Sequence, residues 1–192
     1  IYSKPLQLRT RHGEPLEVYG NPSAVVADWD QDGDWDIICA DFIDYLTYFE
    51  NIGATDSPMF NSGRKLQDPQ GNIIHLPQNM TTVELIDWHG AGRRDLVVGQ
   101  EDGRVYVLSF RGQSGSGLPL FSQPVVVLQE KPLMEVGIMA VPSAVDWDRD
   151  GRIDIVTGNG AGYVELLRNL GTNTKPAFDL PVRLGSAGFP LR

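Results

Sequence analysis

Cysteine is nearly absent: Cys39 stands alone in 192 residues, so no disulfide can form within the chain. Basic residues are also few. Sixteen Lys and Arg against 25 Asp and Glu leave a formal net charge of −9, a sign that repels phosphate backbones and excludes nucleic acid as the expected partner. No apolar run approaches the roughly 18–20 residues that a membrane-spanning helix needs. The opening "IYSKPLQLRT" has neither an initiator Met nor the apolar stretch of a signal peptide, and reads as a processed or truncated end. Nucleophile elbow, phosphate loop, dinucleotide fingerprint and HExxH pair are all missing. So is helical periodicity: no window of helical length repeats its apolar residues every 3.6 positions, which predicts an all-β chain. Cys39 itself falls in the apolar run "DIICAD", where a small buried hydrophobe fits.

Aspartate is plentiful, and regularly spaced. Residues 28–36, "DWDQDGDWD", place an Asp at every second position. Carboxylates that close repel unless a cation joins them, and a hard ion such as Ca²⁺ takes about six to eight oxygens. In D-x-D-x-D-G-x-x-D, Asp28, Asp30 and Asp32 point carboxylates inward, and Gly33 reaches the positive φ of a sharp turn. The main-chain carbonyl of Asp34 and the side chain of Asp36 complete the shell. The spacing begins like an EF-hand but closes on an Asp at the ninth position instead of a Glu at the twelfth. Short β-branched runs, "SAVVA" and "IICA", flank the loop, so it joins two strands. The alternative is an acidic, solvated turn.

The pattern recurs. "DWHGAGRRD" starts at 87 and "DWDRDGRID" at 146, so the three copies begin 59 residues apart (28, 87, 146). The segments that follow align without a gap, and each unit reads as four short strands. In the third copy Asp146, Asp148, Asp150 and Asp154 carry the carboxylates, Gly151 makes the turn and Arg152 offers its carbonyl. The middle copy keeps Asp87 and Asp95 but has His89, Ala91 and the pair Arg93–Arg94 in the other places. Its oxygens are too few for Ca²⁺, and the arginines can neutralise the two acids. A transition-metal site on His89 and two aspartates is the other option, short of the three or four ligands zinc prefers. Two Ca²⁺ and no third are therefore expected. Trp29, Trp88 and Trp147 follow the first Asp of each copy. They read as packing between neighbouring units in preference to a row of sugar-stacking platforms.

Four-stranded units of this length mark a β-propeller blade. The Asp loops, together with "ENIGATDSPMF" and "RNLGTNTKPAF" after the third strand, resemble the FG-GAP or VCBS-type repeat that also builds the integrin α-subunit propeller. The resemblance implies one Ca²⁺ per intact loop, on one face of the ring. The expected organisation is the last strand and exit loop of a preceding blade over 1–20, then blades over 21–79, 80–138 and 139–192. Three blades cannot close a ring, so they are expected to belong to a larger, seven-bladed one, completed by further blades of the same protein or by another chain. Calcium loops of the affinity found in extracellular modules fill only at millimolar Ca²⁺, which points to a secreted or cell-surface protein.

Function is expected on the opposite face, where long loops sit on a rigid scaffold. Those loops span 41–45, 100–104 and 158–163, and 9–22, 67–80 and 129–142. They bring His12, His75, Arg11, Arg104, Tyr45 and Tyr163, each of which could also be a plain exposed loop residue. Some secreted propellers of this kind resemble polysaccharide lyases that eliminate across a uronic-acid linkage. That chemistry implies Arg104 on the sugar carboxylate, His75 taking the C5 proton, and Tyr45 or Tyr163 as acid. The alternative is a non-catalytic adhesion or protein-interaction module.

Overall fold

In the computed structural model the described residues are 4–88, 92, 94–127, 137–186 and 189–190. They form strands and turns with no helix among them. The first sheet holds β1 (Ser23–Ala27), β2 (Asp36–Ala40), β3 (Leu46–Phe49) and β4 (Arg64–Lys65). The second holds β5 (Thr82–Ile86), β6 (Asp95–Gly99), β7 (Val105–Leu108) and β10 (Val125–Val126), with a hairpin of β8 (Phe110–Gln113) and β9 (Pro119–Phe121) inserted before β10. The third holds β11 (Val141–Val145), β12 (Asp154–Gly158), β13 (Val164–Leu167) and β14 (Val182–Arg183). A short pair, β15 (Gly185–Ser186) and β16 (Phe189–Pro190), follows it.

Each four-stranded sheet is an antiparallel meander. First strands start at 23, 82 and 141, second strands at 36, 95 and 154, and third strands at 46, 105 and 164. The register repeats too, because the last acid of each loop faces the last residue of the first strand: Ala27↔Asp36, Ile86↔Asp95 and Val145↔Asp154.

The fourth strands depart most from expectation. The sequence suggests 59–66, 120–128 and 177–184, yet among the described residues the fourth-strand ladder to the third strand covers two residues in each. Pro124 and Pro181 stand directly before β10 and β14, and a proline has no N–H to extend an outer ladder. The longer "QSGSGLPLF" segment of the second unit forms much of the β8–β9 hairpin, a pairing its length signals but its Gly-rich pattern hides.

Central strands are buried on both faces. Leu96, Val97 and Val98 of β6 are each fully inaccessible, so β6 shows an unbroken apolar run where a half-buried strand would alternate. One core joins the first and second sheets through Trp29, Ile38, Tyr48, Leu96, Val98 and Leu108. Another joins the second and third through Trp88, Val97, Val107, Ile155, Leu167 and Phe178. The first strands lie side by side, β1 against β5 and β5 against β11.

Main-chain bonds repeat across these junctions. Met80 N donates to Phe42 O and Met139 N to Glu101 O, both at 2.9 Å, and in the reverse direction Glu101 N donates to Asn79 O at 3.2 Å and Gly160 N to Ile138 O at 2.7 Å. The N-terminal segment copies the hairpin that follows β4. Thr10 N→Glu14 O (2.8 Å) and Leu16 N→Leu8 O (3.1 Å) match Asp68 N→Asn72 O (2.9 Å) and Ile74 N→Leu66 O (3.0 Å). Each turn then receives an N–H from the neighbouring sheet: Phe60 N→Arg9 O at 3.3 Å and Phe121 N→Gln67 O at 3.1 Å.

Candidate functional site

The two complete aspartate loops fold alike. Gln31 and Gly33 in one, Arg149 and Gly151 in the other, take positive φ (66° and 98°; 62° and 86°), so the chain turns twice through the left-handed region. No atom stands within 4 Å of where a Cβ would lie on Gly33 or Gly151. The glycines are therefore needed for conformation and not for space. The non-glycine residues at the fourth position carry no signal in the sequence.

Ligand atoms of Asp28, Asp30 and Asp32 lie within 4.8 Å of one another, as do those of Asp146, Asp148 and Asp154. Either triad could hold a metal ion. Asp28 Oδ1 and Asp34 Oδ1 are buried without a hydrogen-bond partner. Burial, then the charges of Asp36 and Asp32, pushes the Asp30 carboxyl up to about 6. Burial, then Asp32, Asp36 and Asp28, pushes Asp34 up as well. Such shifts mark charges held together without a counter-ion.

Asp36 and Asp154 have a second task. Asp36 Oδ2 accepts from Trp29 N (3.1 Å) and Oδ1 from Asn51 N (2.8 Å). Asp154 repeats this with Trp147 N (3.0 Å) and Asn169 N (2.8 Å). Each ties the start of its loop to the end of the third strand. Asp154 still lies within its triad's 4.8 Å, whereas Asp36 stands outside the first triad. Asp150 is also outside, bonded to the Arg152 guanidinium. Asn51 and Asn169, which the sequence reading passed over, hold the next turn. Asn51 Oδ1 accepts from Gly53 and Met59, and Asn169 Oδ1 from Gly171 and Ala177. Their signal was present in the shared "ENIG" and "RNLG".

In the middle loop Asp87 Oδ2 accepts from Gly92 N at 2.9 Å and Asp95 Oδ1 from Phe110 N at 2.7 Å. His89, Ala91 and Arg93 lie outside the described residues, as does most of the 129–142 connection.

On the other side of the first sheet, His75 Nδ1 is 2.9 Å from Asp44 Oδ2, and its ring centroid is 4.7 Å from that of Tyr45. Lys65 Nζ sits 4.4 Å from the Tyr45 centroid and bonds Asp41 Oδ2 at 3.1 Å and Thr47 Oγ1 at 3.0 Å. Tyr45 and Lys65 line an open cavity of about 850 Å³ with Tyr19, Ile43, Glu14 and Glu17. The sequence points to His75 and Tyr45, whereas Asp44 and Lys65 emerge only from the fold. Arg104 belongs to the second sheet and is engaged by Asp102 at 3.1 Å. Tyr163 belongs to the third, under the Arg183 guanidinium at 3.8 Å. His12 neighbours Arg11, whose Nε is 3.3 Å from its Nε2.

In the neutral tautomer that carries its proton on Nδ1, facing Asp44, the His75 ring has an acceptor lone pair on Nε2; more than half of the side chain is exposed. The cluster thus offers a cation, a carboxylate-oriented imidazole and an aromatic face together. No family model matches the chain, and no curated protein matches it.

Proposed function

We propose that the protein is a calcium-binding β-propeller segment of the FG-GAP/VCBS type, secreted or cell-surface, that recognises an acidic polysaccharide. The observation that carries the recognition reading is the Tyr45–His75–Lys65 group beside an open cavity. A uronate presents a carboxylate to a cation and a sugar face to an aromatic ring, the two surfaces found there. Calcium is supported by the two aspartate triads and the orphaned buried oxygens of the first loop. The propeller is supported by three meanders with their first strands side by side.

Further blades, from the same protein or a completing chain, are the structural partner. Trp29 and Trp88 are buried between sheets at 0% and 4% exposure, while Trp147, at the equivalent place in the third sheet, is 48% exposed. Leu180 and Val182 are bare beside it.

Affinity electrophoresis through gels containing a uronate polysaccharide tests the recognition reading. Retarded migration is expected, with Tyr45→Ala and Lys65→Ala each weakening binding about tenfold. Unretarded migration on every uronate polymer contradicts it.

The Asp44–His75 bond favours a second reading, a lyase. His75 Nε2 takes the C5 proton, the C5–H pair becomes the C4–C5 double bond, the C4–O bond breaks, and the Tyr45 proton goes to the leaving oxygen. An unsaturated product absorbing in the far ultraviolet, its rate of formation lowered by about 10²–10⁴ in His75→Ala, separates it from the binder. Arg104 is paired with Asp102 in the second sheet, and in this reading the cation is Lys65, paired with Asp41 and sharing the Tyr45 ring with His75.

A further inference from the structure

The two aspartate loops share spacing and backbone, but not charge. Residues 28–36 contain five carboxylates and no basic residue, while residues 146–154 contain four carboxylates together with Arg149 and Arg152. The difference is sharpest at the seventh position, where Asp34 of the first loop corresponds to Arg152 of the third. Asp34 is only 8% exposed, and its Oδ1 has no hydrogen-bond partner. Its N–H donates to Asp32 Oδ1 at 3.1 Å, which folds it against the other acids of the loop. A buried, unpartnered carboxylate oxygen among four further carboxylates is an arrangement that a cation relieves, and that otherwise favours taking up a proton.

The third loop already contains its relief. The Arg152 guanidinium bonds Asp150 Oδ2, and Arg152 N donates to Asp150 Oδ1 at 2.9 Å. Asp146 is engaged on both oxygens, Oδ1 by Asp150 N and Oδ2 by Gly151 N, each at 3.0 Å. Its counterpart Asp28 keeps a buried Oδ1 with no partner.

We propose that the loops are graded cation sites: the 28–36 loop, with Asp34 as a fifth carboxylate, is the tight one, and the 146–154 loop is weak because Arg152 occupies it as an internal counter-cation that a divalent ion must displace. The grading rests on the calcium reading above. Affinity in oxygen-ligand loops follows the number of charged ligands, so a change of two charges at one position separates the sites widely. The first loop is then filled whenever the protein is folded in calcium, and the third responds to the calcium level.

Calcium titrated calorimetrically into chelator-stripped protein, at fixed ionic strength, tests this. The intact protein should show two steps separated by about tenfold or more. Asp34→Asn should weaken the tight step by about tenfold and leave the weak one unchanged. Arg152→Gln, which removes the charge without adding a ligand, should tighten the weak step by about tenfold and lower the melting temperature of the metal-free protein. Two indistinguishable steps, an unmoved tight step in Asp34→Asn, or an unmoved weak step in Arg152→Gln overturns the grading while leaving calcium binding intact. No binding in the intact protein or in Arg152→Gln overturns the calcium reading itself. Should Asp34→Asn fail to fold, the Arg152→Gln titration decides alone.

Discussion

Asp68 ties two sheets with one carboxylate. Its Oδ1 accepts from the N–H groups of Gln70 and Asn72, and its Oδ2 from the side-chain amides of Asn72 and Gln123, all at 2.9 Å. Asn72 and then Gln123 hold its pKa down to about 2, below the ordinary 3.8. A depressed carboxylate contributes stability that is present above the unfolded pKa and lost as pH falls through the folded one. Asp68→Asn should therefore lower the melting temperature at neutral pH, and the gap to the intact protein should narrow between about pH 4 and about pH 2. A pH-independent gap would mean that Asp68 acts by shape and not charge. Legibility was uneven at this scale. The aspartates of the 28–36 and 146–154 loops and Gly33 could be read because alternation and a glycine turn are local patterns. The Asp68–Gln123 and Lys65–Asp41 bonds could not, because they join residues 55 and 24 positions apart and no local pattern marks them.

Strands two and three of each sheet were legible because burial on both faces leaves continuous apolar runs, as in "DLVVG". Fourth strands were not, since two paired residues beside a proline have no period to detect. Glycines at equivalent places now behave differently. A Cβ on Gly99 of β6 would run into Ala140 O and Pro142 Cδ of the next sheet, while one on Gly158 of β12 meets nothing within 4 Å. Gly99→Ala is expected to destabilise by about 1–3 kcal/mol through overpacking, and Gly158→Ala to stay within about 0.5 kcal/mol. Denaturant melts compare the two directly. If a further blade covers the third sheet, Gly158→Ala becomes costly in the completed ring but not in this chain. Equal effects in this chain would show that the sheet junction does not set the difference.

At the scale of the whole molecule, apolar cores join three sheets that leave an uncovered face at Trp147. Stacked units of one kind bury their faces against neighbours, and the bare face at Trp147 and the net charge of −9 are the two features that the proposed further blades and calcium would satisfy. The repeat and the all-β class could be read from sequence because the same pattern is written three times. The number of blades in the proposed ring could not, because three copies of a pattern do not fix how many would close one. Calcium is the central claim, and it has a direct measurement: metal content after dialysis against calcium in large excess, with the melting temperature followed on chelation. Two Ca²⁺ per chain, held by the loops at Asp28 and Asp146, are predicted. EDTA should then lower the melting temperature, because an ion bound only by the folded state adds RT ln(1 + [L]/Kd) to stability. No bound calcium, or a third ion in the loop at Asp87, would contradict the account.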